Sequence, residues 1–159
     1  MAKNPKIDIE TTIPSYLAAW PSRDQLRSAH QQLTREWWRD RRPIFDLYVS
    51  QLVLQEVGAG DPIAAAERLD VLKGIAVLGS SPEADDLAAD LLNEAQLPAK
   101  AAVDGQHLAI AVVNGMDFLL TWNCAHLANA ILRPRIERFF HSRGLNPPIV
   151  CTPLQLMEG

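Results

Sequence analysis

The chain has little of what several large protein classes require. No apolar run approaches the ~20 residues that cross a bilayer, and Met-Ala-Lys-Asn-Pro-Lys leads into only a few apolar residues before Asp8 and Glu10, without the apolar core of a secretory signal. A soluble, cytoplasmic protein with no membrane partner is therefore expected. The two cysteines, Cys124 and Cys151, form neither a CxxC pair nor a disulfide framework, so both are expected to be buried free thiols. His30, His107, His126 and His141 lack the paired spacing of a zinc site. No GxSxG elbow and no GxxxxGK loop occurs, which removes support for a serine hydrolase or a P-loop enzyme. The formal net charge of −4 argues against nucleic-acid binding through the whole surface. A polyanionic partner would need a local basic patch or bound cations.

What remains is an ordinary globular composition, 159 residues with 48% hydrophobic and 21% charged, enough for one domain spanning residues 1–159 with a sizeable core. Short apolar runs alternate with helical patterns. Strands are expected at Lys6–Glu10, Asp46–Val49, Ile75–Leu78, Phe118–Leu120 and Ile149–Cys151. Between them lie a helical turn near Pro14, and a helix to about Arg42 opened by Ser22 and Gln25 as a capping box, with Leu26, Ala29, Leu33 and Trp37 on its inner stripe. Helices follow at Leu52–Val57 behind Ser50, from Asp61-Pro62 to Lys73, from Ser81-Pro82 to about Gln96, at Asp104–Asn114, and at Ala125–Phe140 with an interruption at Pro134. Thr152-Pro153 opens a short terminal helix. Strands separated by helices almost throughout mean an α/β fold, a parallel sheet with helices on both faces.

The stretch Val112–Ala125 organises the functional reading. Gly115 ends a helix, Phe118-Leu119-Leu120 is a buried strand, and Thr121 and Asn123 stand just past its carboxyl end. Ligands of open α/β sheets sit at such ends. Glu10, Glu56, Asp104, Asp117 and Asn123 all punctuate strand ends or open neighbouring helices. Carboxylates converging at one sheet edge would repel one another unless hard divalent cations sat among them. Each acidic residue alone has a simpler reading as a helix cap or solvated loop residue. Asp8 projects to the side of Glu10 by strand alternation and is a reserve ligand or a buried partner for Arg or Lys.

Glu10-Thr11-Thr12, Val53-Leu54-Gln55-Glu56, Asp104-Gly105-Gln106-His107-Leu108-Ala109-Ile110-Ala111 and Leu119-Leu120-Thr121-Trp122-Asn123 resemble, in order and spacing, the four successive motifs of the PIN-domain family, and together they cover nearly the whole chain. Within that family the chain most resembles the VapC-type toxins of toxin–antitoxin pairs. The resemblance implies a three-layer α/β/α fold whose parallel sheet of about five strands has the order 3-2-1-4-5. It also implies a Mg2+- or Mn2+-dependent endoribonuclease acting on single-stranded RNA. Glu10, Glu56 and Asp104 would hold the ion, and Asp117 and Asn123 would assist. Thr121 and Thr12 either hydrogen-bond a ligating carboxylate or the scissile phosphate or simply cap their strand ends. Glu10 stands where the family usually has Asp, and Asn123 where it often has a fourth Asp. The further implications are a homodimer and a cognate antitoxin whose peptide lies in the active groove, with the Ile13–Leu33 region as a candidate contact. A PIN-like binding or regulatory module with weakened or no nuclease activity is the alternative that Asn123 motivates, and cleavage of DNA is a third. The arginines of residues 23 to 42, with Arg133, Arg135, Arg138 and Arg143, are either a solvated face or contacts for an RNA backbone. Trp122 beside the site is the aromatic best placed to meet a base, whereas Trp37 at helical spacing reads as core.

Overall fold

A computed structural model describes residues 3–123, 125, 127 and 129–158. Five parallel strands form one sheet: β1 (Lys6–Ile9), β2 (Asp46–Ser50), β3 (Ala76–Leu78), β4 (Phe118–Leu120) and β5 (Ile149–Cys151), in the order β3-β2-β1-β4-β5. The helices are α1 (Thr12–Ala18), α2 (Gln25–Asp40), α3 (Gln51–Val57), α4 (Pro62–Val71), α5 (Pro82–Glu94), α6 (Ala102–Val113) and α7 (Leu132–Ser142). This is a PIN-like three-layer fold. No helix among the described residues is long and apolar enough to cross a membrane.

Alternation along the strands sorts the two faces. Ile7, Ile9 and Leu120 pack with Ile13 of α1, Trp37 of α2, and Val53 and Val57 of α3. Leu119 and Val150 pack on the opposite face with Leu87 and Leu91 of α5, Leu108 of α6, and Ile136, Phe139 and Phe140 of α7. Asp8 pairs in register with Tyr48 and Leu119, so its carboxylate enters this second layer.

Several helix starts follow local chemistry. Ser50, Asp61 and Ser81 each accept a backbone N–H three residues on, and Pro62 and Pro82 follow their caps directly. Elsewhere the structure corrects the expectation. The cap of α2 is Asp24, not Ser22, because the Asp24 carboxylate reaches the Arg27 N–H while the Ser22 hydroxyl accepts from Asp24 N. Leu26, expected inside, is 67% exposed; the buried stripe is Gln31, Thr34 and Trp37. Gln31 accepts from Ser22 N and donates to Trp20 O, which ties down the chain before α2. β3, expected to be a buried strand, is an edge strand with Val77 half exposed. α7 starts only at Leu132, where the Asn129 side chain accepts from Ile131 N and Leu132 N, so Pro134 falls harmlessly in its first turn instead of interrupting a longer helix. Cys151 is a buried free thiol whose pKa is pushed up to about 12 by burial; Cys124 and His126 lie outside the described residues.

Candidate metal centre at the carboxyl edge of the sheet

In chain order the sheet runs outward from β1 through β2 to β3, then returns to the other side at β4. The crevice above the carboxyl ends of β1 and β4 is therefore the topological switch point. Glu10 leaves β1 there, its N–H still bonded to Leu120 O at 3.0 Å, and it is only 5% exposed. Its Oε1 accepts from Thr12 N at 2.7 Å and from the Thr121 hydroxyl at 3.0 Å. The same Thr121 oxygen accepts from Asn123 N at 2.8 Å, which turns the chain so that Asn123 Nδ2 donates to Asp104 Oδ1 at 2.9 Å. Thr121 is thus the hinge between Glu10 and the motif that reaches Asp104.

Glu56 arrives from the last turn of α3, whose start is set by the buried Ser50. Glu56 Oε1 accepts from the Thr11 hydroxyl and lies 2.8 Å from His107 Nε2. His107 follows Asp104 by three residues on α6, so both stand on one helical face, His107 against Glu56 and Asp104 against Asn123. Burial alone would lower the His107 pKa, but the hydrogen bond to Glu56 and the charges of Glu56, Glu10 and Asp8 raise it. In return the His107 hydrogen bond, opposed by partial burial and aided by Thr11, lowers the Glu56 pKa.

Beneath this net lies Asp8, 1% exposed, with both carboxylate oxygens lacking a hydrogen-bond partner among the described residues. Burial pushes its pKa up to about 7, the positive field of His107 opposes that rise, and the charge of Glu10 adds to it. No Arg or Lys partner accompanies it in the described ion pairs.

Hydrogen bonds thus link Glu10, Thr121, Asn123 and Asp104 in a chain, while Glu56 is held beside it by Thr11, the neighbour of Glu10, and by His107, three residues past Asp104. Asp117 is not among them. It precedes β4, at the opposite end of the strand, where its carboxylate accepts from Lys6 N at 2.8 Å and its N–H donates to Lys6 O. In a parallel sheet that is the amino edge, so Asp117 clamps the start of β1 to the start of β4 and cannot assist an ion at the other end. The lock of His107 on Glu56 depends on α3 meeting α6, and its only local signal is the spacing from Asp104.

The donor types suit a hard divalent ion: carboxylate and amide oxygens from four segments, a buried unpaired carboxylate behind them, and one imidazole facing Glu56. As the side chains stand, no three His, Cys, Asp or Glu among the described residues are grouped to chelate one. Glu10 and Glu56 place these hydrogen bonds on Oε1, so Oε2 of each is the oxygen that would be offered to an ion.

Around the centre, Trp122 N donates to the Thr12 hydroxyl and its indole N–H donates to Thr34, while its ring stacks on His30 with centroids 4.0 Å apart. Many arginines are committed to the fold. Arg35, Arg41, Arg133 and Arg135 donate to backbone carbonyls, Arg39 pairs with Asp40, Arg42 covers Trp38, and Arg143 pairs with Asp90 and Glu94. Arg23, Arg27 and Arg138 are exposed.

Comparison with protein-family models and with curated proteins finds no match. Among solved structures, the chain is similar to one in the crystal structure of VapBC2 from Rickettsia felis bound to a DNA fragment from their promoter, with a TM-score of 0.59 and 15% identity over 92% of this chain and 98% of that one. At that identity the likeness shows a shared fold.

Proposed function

We propose that this protein is a metal-dependent endoribonuclease acting on single-stranded RNA, the toxin of a toxin–antitoxin pair. The observation that supports this reading is the hydrogen-bond network above the buried Asp8: Thr121 and Asn123 link Glu10 to Asp104, and Glu56 is held by Thr11, next to Glu10, and by His107, three residues past Asp104. Glu10, Glu56 and Asp104 would hold Mg2+ or Mn2+. A bound ion supplies a Lewis acid that acidifies water and offsets charge building on a phosphodiester. The chain's own residues do the positioning. Thr121 holds Glu10 and the turn to Asn123, Asn123 fixes Asp104, and His107 with Thr11 aims Glu56. Exposed Trp20 and Leu26, 88% and 67% accessible, offer an apolar face in the Ile13–Leu33 region for an antitoxin, the class of partner suggested by the VapBC2 complex. A homodimer belongs to the same reading.

Purified protein with added manganese should cut single-stranded RNA and leave DNA of the same sequence intact. Asp104→Asn should abolish the cutting, and a short protein encoded beside this one should suppress it. Cutting by Asp104→Asn at the wild-type rate would remove the proposed role of that residue.

A second reading rests on Asn123. An amide donating to Asp104 satisfies a carboxylate that an ion would otherwise compensate, as in a binding module that no longer cleaves. Calorimetric titration separates the two, because a non-enzymatic module would show no manganese binding even at millimolar metal.

A further inference from the structure

Three rings from three segments stand together beside the acidic edge: Tyr16 of α1, His30 of α2, and Trp122 just past β4. The Trp122 ring lies 12° from the plane of His30 at 4.0 Å and 25° from that of Tyr16 at 6.2 Å. Core aromatics behave differently here. Trp37 is fully buried against Phe45, whereas Tyr16, His30 and Trp122 are each only partly covered. The attitude of Trp122 is fixed by polar bonds at both ends, indole N–H to Thr34 and backbone N–H to Thr12, and Thr12 N itself donates to Glu10. Trp122 is therefore held in place and tied to the acidic edge through Thr12. One helical turn before His30, on the same face of α2, stands exposed Arg27.

We propose that Tyr16, His30 and Trp122 form a stacking platform for an unpaired nucleobase of the strand whose phosphate lies at Glu10 and Asp104, with Arg27 meeting the neighbouring backbone. The inference rests on the nucleic-acid reading above and adds how the strand is held. The outer ring face of such a stack meets the face of any base without needing its hydrogen-bonding edge. It therefore favours single strands over duplexes, whose bases are already stacked.

Binding, not cleavage, tests it. In the Asp104→Asn background, which removes one repelling charge and is expected to be inert, anisotropy is read for labelled single-stranded RNA and for the same sugar–phosphate backbone without bases. His30→Ala and Tyr16→Ala should each weaken RNA binding about 5- to 100-fold, the range of one lost base–aromatic stack. His30→Phe should restore it, and the base-free strand should bind all variants alike. The platform is overturned if the alanine variants, with wild-type circular dichroism, bind RNA like the parent, if the base-free strand loses as much, or if the parent binds no RNA. Failure of wild type to cut RNA with manganese, with base-dependent binding intact, would sink the nuclease reading and leave the platform standing.

Discussion

Asp8 is the residue whose chemistry is least at ease with its surroundings. Its folded pKa of about 7 lies above the ordinary value of 3.8, so between those values the folded chain keeps a proton that the unfolded chain has released. Its contribution to stability therefore falls as pH rises through that window and is least favourable above about pH 7. Asp8→Asn should stabilise the metal-free protein at pH 8 by an amount on the order of a few kcal/mol, read as a raised thermal midpoint, with the gain shrinking toward pH 4. An equal loss of midpoint at both pH values would show that the carboxylate is paired after all. The His107–Glu56 pair has the opposite dependence on its two sides. The raised His107 pKa gives stability that is full below about 6.5 and lost as pH climbs through the folded value; the lowered Glu56 pKa gives stability present above about 4.5 and lost as pH falls through its folded value. His107→Ala should cost about 1 kcal/mol in urea unfolding near pH 6, discounted because Glu56 is about one-third exposed. It should cost less at pH 8.5, and His107→Gln, which keeps an N–H donor, should recover part of the loss. Equal costs at both pH values would mean that His107 acts by packing alone.

The element that aims Glu56 is α3, a helix of only seven residues that begins at the Ser50 cap. Ser50→Ala should destabilise the fold by about 1 kcal/mol and reduce RNA cutting more than a comparable loss elsewhere, such as Ser81→Ala at the start of α5; equal effects of the two on cutting would contradict the positioning role. At this scale the sequence was legible wherever a local rule governs. The Asp61-Pro62, Ser81-Pro82 and Thr152-Pro153 starts, the apolar runs of β4 and β5, and the alternation that implies a parallel sheet all report on neighbouring residues. It misled where distant partners decide. Gln31 and Thr34 are inside α2 because they bond Trp20, Ser22 and Trp122, while Leu26 has no apolar surface to meet and stays exposed. Asp117 looked like a site residue because it flanks the right strand, but the direction of β4 puts it at the wrong end. The motifs put Glu10, Glu56 and Asp104 near strand ends and helix starts; the Thr121–Asn123 turn and the lock of His107 on Glu56 needed the three-dimensional contacts.

For the whole molecule the arrangement is one of division. The amino edge of the sheet is clamped by Asp117, the two faces are sealed by separate apolar clusters, and the carboxyl edge gathers Asp8, Glu10, Glu56 and Asp104 with His107 facing Glu56. That concentration of negative charge, in a protein whose overall charge is already −4, is what the proposed function rests on: a cation bound at this edge would offset it. Calorimetric titration of manganese into the metal-free protein, alongside Glu10→Gln and Asp104→Asn, tests this most directly. Saturable binding below millimolar metal, weakened at least about tenfold by each substitution (~1.4 kcal/mol), is the predicted result; no saturable binding, or binding that both substitutions leave unchanged, would contradict it.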